Sequence, residues 1–105
     1  MEKNSKIIIG EDCMISHKVD IRTGDSHSII DLDTGKRTNY VKDIVIKNHV
    51  WIGAYVKILK GVEIGQDSII GMGAIVSKSI PEKVLCAGVP AKVIKNSVSW
   101  KRDII

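Results

Sequence analysis

The fold class predicted by this 105-residue sequence is all-β, a parallel β-helix of about three coils, and three observations carry that prediction. Aliphatic residues recur every six positions: Ile9, Ile15 and Ile21, then Ile46, Ile52, Ile58, Ile64, Ile70 and Val76. Two positions before each stands a smaller or apolar residue: Ile7, Cys13 and Val19, then Ile44, Val50, Val56, Val62, Ser68 and Ala74. Gly10, Gly53, Gly65 and Gly71 each follow an aliphatic of the repeat, where a corner would want a permissive backbone. The spacing of two within a pair is strand alternation, with both members facing one side. A period of six excludes an amphipathic helix, whose stripe recurs at three and four. An ordinary β-sandwich of short strands would not hold nine pairs in fixed phase.

Three hexapeptides per triangular coil place the first coil at residues 7–21, the second at 44–58 and the third at 62–76. Each coil of such a stack touches only its neighbours. The β-helix is expected over residues 7–80. Segment 82–105 is expected to pack a strand from "VLCAGVP" and a short helix from "AKVIKNSVSW" against its end, with Trp100 as a packing anchor. Together they make one domain, 1–105. A chain this short buries a modest fraction of its surface, so side-by-side association of copies is expected.

The repeat breaks after Ile21. The next inward pair would fall at positions 25 and 27, which hold Asp25 and His27. An unpaired buried charge costs several kcal/mol, so the chain must leave the prism or build a polar site there. Residues 28–43 carry turn chemistry in "DTGKRTN" and return to the repeat at Ile44. An excursion this long within a compact solenoid points to function. The bland reading of His27 is a surface histidine without a role, which is the preferred reading for His17 and His49 at their corner-like positions.

Composition narrows the classes. A net charge of +4 without an Arg-rich run or interleaved aromatics argues against nucleic acid and suits a small anionic ligand. Cys13 and Cys86 form no disulfide framework and no metal-ligand cluster, and both read as buried small residues. The N-terminus lacks a signal-peptide pattern, and no apolar run reaches the roughly 18 residues of a membrane span. A soluble cytoplasmic protein is expected.

The hexapeptide run, the phrase "DSHSI", the stretch "HVWIGAYVKILKGVEIG" and the stretch "SIIGMGAIVSKSIPEKVLCAGVPAKVIK" together resemble the hexapeptide-repeat acyltransferases. Within them they look like the bacterial O-acetyltransferases of sugars and polysaccharides, and the trailing "VSWKR" is similar to the end of the polysaccharide subgroup. The resemblance implies a left-handed prism, an exception to the right-handed crossover rule. It also implies a homotrimer with sites in the clefts between prisms, acetyl-CoA as donor, a carbohydrate hydroxyl as acceptor, and no metal. His27 would be the general base, with Asp25 holding the ring in the useful tautomer. Trp51 points outward between Val50 and Ile52 and would wall the acceptor pocket; trimer packing is the alternative. The N–H of Ala54, in the corner after "WIG", would receive the oxyanion. Ala54 and Met72 would lie one above the other, their amides along the pantetheine arm, although Met72 replaces the alanine usual there. Ser77 and Lys78, at the next corner, would also bind the coenzyme, and Lys92 and Lys95 in "AKVIK" would meet the nucleotide phosphates, the alternative for any one lysine being a solvated surface charge. Relatives usually carry further coils or helices before the point where this chain starts. That implies a minimal member, a piece of a longer product, or a subunit whose acceptor pocket is completed elsewhere.

Two rivals come from other classes. A catalytically inactive trimeric scaffold would keep the inward pairs yet has no need of Asp25, His27 and Trp51. A γ-type carbonic anhydrase would need three zinc-binding histidines, two of them close in sequence, whereas His17, His27 and His49 offer no close pair.

Overall fold

The computed structural model describes residues 3–105. Its strands wind around a three-sided prism. The first coil contributes β1 (Ile7–Ile9), β2 (Met14–Ile15) and β3 (Asp20–Ile21). The second contributes β4 (Ile44–Ile46), β5 (Trp51–Ile52) and β6 (Lys57–Ile58). The third contributes β7 (Glu63–Ile64), β8 (Ile69–Ile70) and β9 (Ile75–Val76). Stacking gives three faces: β1-β4-β7 on the first, β2-β5-β8 on the second and β3-β6-β9 on the third, all parallel. Partners lie 37 residues apart between the first two coils (Ile9↔Ile46) and 18 apart between the next two (Ile46↔Ile64), so the excursion inserts 19 residues.

The inward pairs of the second and third coils are the core. Ile44, Ile46, Val50, Ile52, Val56, Ile58, Val62, Ile64, Ile70, Ala74 and Val76 are all buried, one above another. Ser68 takes an inward slot without loss, because its hydroxyl donates to Pro81 O at 2.6 Å and accepts from Val84 N at 3.3 Å. The first coil follows the same pattern but forms the lower edge of every face, so Ile9 and Ile15 stay partly open.

The prism continues past the third coil. Ile80 bridges to Ile64 on the first face, β10 (Val84–Ala87) stacks on β8, and Ala91 N bonds Ile75 O on the third face. The expected short helix in 82–105 is absent. Lys92–Asn96 is instead a strand, β11, antiparallel to β10. The β-branched Val93 and Ile94 favour a pleated surface, and β10 offers a free edge. No helix among the described residues is long and apolar enough to cross a membrane.

The repeat glycines serve a different purpose from the one expected. Positive φ falls two residues later, at Asp12, His49, Asp67 and Lys83 in the corners between the first and second faces, and at Lys18, Tyr55 and Gly73 in the next corners. Asp and His tolerate that region better than most side chains. Gly53 is required by contact: a Cβ there would lie 2.8 Å from Met72 N and 2.9 Å from Ile70 O.

The last residues descend one corner of the prism as a strap. Val98 N bonds Lys83 O, Trp100 Nε1 donates to His49 O at 2.8 Å, and Arg102 Nη1 reaches Asp12 Oδ1 at 2.7 Å. Trp100, 6% exposed, stacks on the His49 ring at 4.1 Å, and His49 Nδ1 meets Asp67 at 2.6 Å. Trp100 is thus the expected anchor. Trp100→Ala removes one stacked ring pair and one hydrogen bond, so we expect a loss of about 2 kcal/mol, read by urea denaturation. Amides of residues 97–105 should then exchange faster while those of β5 and β8 do not.

Candidate active site

The excursion leaves the corner after β3 and closes at its neck, where Lys42 N bonds Thr23 O at 3.0 Å. Asp25 and His27 stand just beyond that neck, both exposed. Between them Ser26 has φ 70°, and His27 N bonds Asp25 O at 2.8 Å, which closes a three-residue γ-turn. With positive φ at its centre this turn is rare and strained. Strain of this kind persists only where the surroundings hold it.

Two groups hold it. Lys60, in the stacked corner of the second coil, places Nζ 2.6 Å from Asp25 Oδ2. Asn39, on the returning limb, donates through Nδ2 to Asp25 Oδ2 at 2.9 Å and to His27 O at 2.8 Å. Its Oδ1 accepts from Ile29 N at 2.7 Å and from Arg37 Nε at 3.3 Å. The hydrogen bond from Lys60, then that from Asn39, keeps the Asp25 carboxyl below its ordinary range despite the opposing effect of desolvation. Asp25 therefore keeps its charge to lower pH than a free aspartate does.

This arrangement revises the expected role of Asp25. Its carboxylate engages Lys60 and Asn39, and among the described residues the His27 ring has no hydrogen-bond partner. Neither Asn39 nor Lys60 was singled out from the sequence. Asn39 sits inside what reads as ordinary turn chemistry, and Lys60 looks like any surface lysine of a corner. The one available signal for Lys60 was register: the corners after β3 and after β6 stack when Asp20 pairs with Lys57.

The other expected residues lie elsewhere on the prism. Ala54 and Met72 are stacked at the corner between the second and third faces, where Gly73 N bonds Ala54 O at 2.9 Å. Among the described residues neither the Ala54 nor the Met72 N–H donates to a protein acceptor, although Ala54 itself is buried. Met72 is 74% exposed, and Tyr55 and His17 meet edge to face beside Ala54 at 5.3 Å. Trp51 lies outward on the second face, 38% exposed, in a ladder with Met14, Ile69 and Leu85. Ser77 and Lys78 follow β9, at the corner from which the His27 excursion departs.

Lys92 and Lys95 lie on β11 above the second face. Three residues apart, they would point to opposite sides of a regular strand. A register shift between Leu85 and Cys86 corrects this, pairing Leu85 with Lys95 and Ala87 with Lys92. Cross-strand partners share a face, so both lysines join the outward side, opposite buried Val84 and Cys86. Ala87 ends β10 beside Gly71, which puts Lys92 above the Ala54–Met72 corner. Burial pushes the Cys86 thiol up, the reverse of what a nucleophile needs. His17, His27 and His49 fall at three different corners of the prism.

Residues 43–78 match the family model described as bacterial transferase hexapeptide (six repeats). The match and this prism together give the chain the hexapeptide-repeat fold, which its structural neighbours among the acetyltransferases share as a left-handed β-helix. It is 47% identical over 96 residues to the polysialic acid O-acetyltransferase of Escherichia coli O1:K1, across 91% of this chain and 31% of that protein. Among solved structures, the polysialic acid O-acetyltransferase OatWY superposes with a TM-score of 0.96 at 41% identity, over 99% of this chain and 50% of that one. A galactoside acetyltransferase in complex with coenzyme A gives a TM-score of 0.75 at 37% identity, over 87% of this chain and 45% of that one. The chain spans about a third to a half of the length of these relatives.

Proposed function

We propose that this chain carries the catalytic β-helix of an acetyl-CoA-dependent O-acetyltransferase acting on a carbohydrate hydroxyl, working as a homotrimer. One observation carries the reading: an exposed imidazole without a partner among the described residues is presented by a clamped, strained turn, in a prism like those of sugar O-acetyltransferases. The N–H pair of Ala54 and Met72 lies at a different corner of the same prism, across the third face from His27. One chain therefore cannot close the site by itself, whereas prisms packed side by side can set one chain's His27 against another's Ala54–Met72 corner. The apolar ladder of Met14, Trp51, Ile69 and Leu85 supplies a surface suited to such packing.

In this reading His27 takes the proton of the acceptor hydroxyl as its oxygen attacks the thioester carbonyl. The Ala54 N–H stabilises the oxyanion of the tetrahedral intermediate. Collapse breaks the carbon–sulfur bond, and the imidazolium returns the proton to the departing thiolate. The Met72 N–H binds the pantetheine arm, and Trp51 walls the acceptor pocket. Lys92 and Lys95 bind the nucleotide phosphates, while Ser77 and Lys78 line the ligand cleft from the His27 corner.

The test is titration of acetyl-CoA into the purified chain with its mass measured in the same buffer, followed by transfer assays on oligosialic acid and on a β-galactoside. A trimer that binds one acetyl-CoA per chain and acetylates either acceptor supports the proposal. A trimer that ignores acetyl-CoA overturns it in favour of a scaffold. The phosphate contacts have their own check: Lys92→Ala with Lys95→Ala should raise the Kd for acetyl-CoA by about ten- to a hundredfold. The rate at saturating donor should be unchanged, and the penalty should shrink in high salt.

A further inference from the structure

Asn39 is 6% exposed and makes three of its four hydrogen bonds to one short stretch of chain, the fourth being to Arg37. Both of its N–H groups go to acceptors, Asp25 Oδ2 at 2.9 Å and His27 O at 2.8 Å. Its oxygen goes to donors, Ile29 N at 2.7 Å and Arg37 Nε at 3.3 Å. A carboxylate and a carbonyl cannot donate, and an amide N–H and a guanidinium cannot accept, so the network allows only this orientation of the amide. The stretch that it holds, Asp25 to Ile29, contains the strained turn at Ser26 with φ 70°.

The backbone of His27 is consequently fixed on both sides. Its N–H closes the turn on Asp25 O at 2.8 Å, and its carbonyl is taken by Asn39. The Asp25 carboxylate is anchored to the prism by Lys60 Nζ at 2.6 Å. The imidazole alone is left unengaged among the described residues. Such an arrangement immobilises the backbone of a residue while keeping its ring for something outside the chain.

We infer that Asn39 is a positioning residue for His27: its one amide holds the strained turn in place, and Lys60, through Asp25, ties that turn to the second coil. The inference rests on the proposed role of His27 as base. In this arrangement Asn39 touches neither donor nor acceptor. It acts on transfer by keeping the imidazole where the hydroxyl must arrive, and a base displaced by about 1 Å can lose about a hundredfold in rate. Ser26 has the complementary part, because glycine adopts positive φ without the penalty that serine carries.

The experiment compares Asn39→Ala, Ser26→Gly and the double variant by two independent readouts. The first is the 15N order parameter of the His27 amide, about 0.85 for rigid backbone and under about 0.6 for a flexible one. The second is the split of kcat from the KM for acetyl-CoA. In Asn39→Ala the His27 order parameter should drop into the flexible range while the amides of Ile52 and Ile70 keep theirs. Its kcat should fall about twenty- to a hundredfold, with the KM for acetyl-CoA within about twofold. Adding Ser26→Gly should restore at least about fivefold of kcat, because the turn no longer needs to be forced. If Asn39→Ala does not fold, Asn39→Asp keeps the shape and the acceptor oxygen, lacks both N–H donors, and is read the same way. An unchanged His27 order parameter overturns the inference, and so does a mobile His27 whose kcat stays within threefold. A wild-type chain that transfers no acetyl group defeats the reading of His27 as base, and the order parameters alone then support or overturn the clamp.

Discussion

Replacing His27 with alanine should lower the transfer rate by about a hundred- to ten-thousandfold, the range supplied by a positioned general base. The expected change lies in kcat, with the acetyl-CoA Kd within about twofold, because the main groups assigned to the donor, Ala54, Met72, Lys92 and Lys95, lie at another corner and on β11. Folding should be unaffected. His27 is exposed, and the contacts that fix its backbone use its N–H and C=O, which alanine keeps. Initial rates from release of the coenzyme A thiol, set beside calorimetric titration of acetyl-CoA, give both numbers. A variant that retains most of the wild-type rate removes His27 from the mechanism.

The largest stability effect is expected at Ile52. It is fully buried in the second coil, in register with Ile15 below and Ile70 above, so its side chain touches two coils besides its own. Ile52→Ala deletes buried methyl and methylene groups and leaves a cavity that stacked β-branched neighbours cannot easily fill, costing about 3–4 kcal/mol. Total stability for a domain of this size is on the order of 5–15 kcal/mol. The loss should show in urea as a lower midpoint with an unchanged slope. A loss under about 1 kcal/mol would mean that the coils close up around the gap.

The prism was legible in the sequence because its rule is local and repeated. Every inward pair of the second and third coils is buried where the six-residue period puts it, Ser68 included, and Trp51 points outward as alternation requires. The fully exposed Ile104 and Ile105, by contrast, belong to no repeat. The departures occur where the period gives no information. "AKVIKNSVSW" has no hexapeptide phase, so it is the free edge of β10, helped by Val93 and Ile94, that makes Lys92–Asn96 a strand. The glycines were located correctly but assigned the wrong cause, since the approach of Met72 to Gly53 depends on how coils stack and not on local backbone preference. At the site, Asp25 and His27 stood out because they break the pattern. Asn39 did not, because the three partners that tie it to the site lie 10 to 14 residues back along an irregular loop. The pairing of Asp25 with Lys60, 35 residues apart, depends on corner-over-corner stacking.

A linear stack of coils ordinarily melts as a zipper, each layer depending only on the next. The strap alters that. By joining Arg102 to Asp12 across 90 residues and Trp100 to His49 across 51, it makes the lower coils depend on the far end of the chain. Within this chain the first coil is thus fastened to residues of the far end. Fraying at either end should therefore loosen the other, so the two ends should open as a single cooperative unit. Closure across so long a stretch of chain also gives assembly a late, slow step.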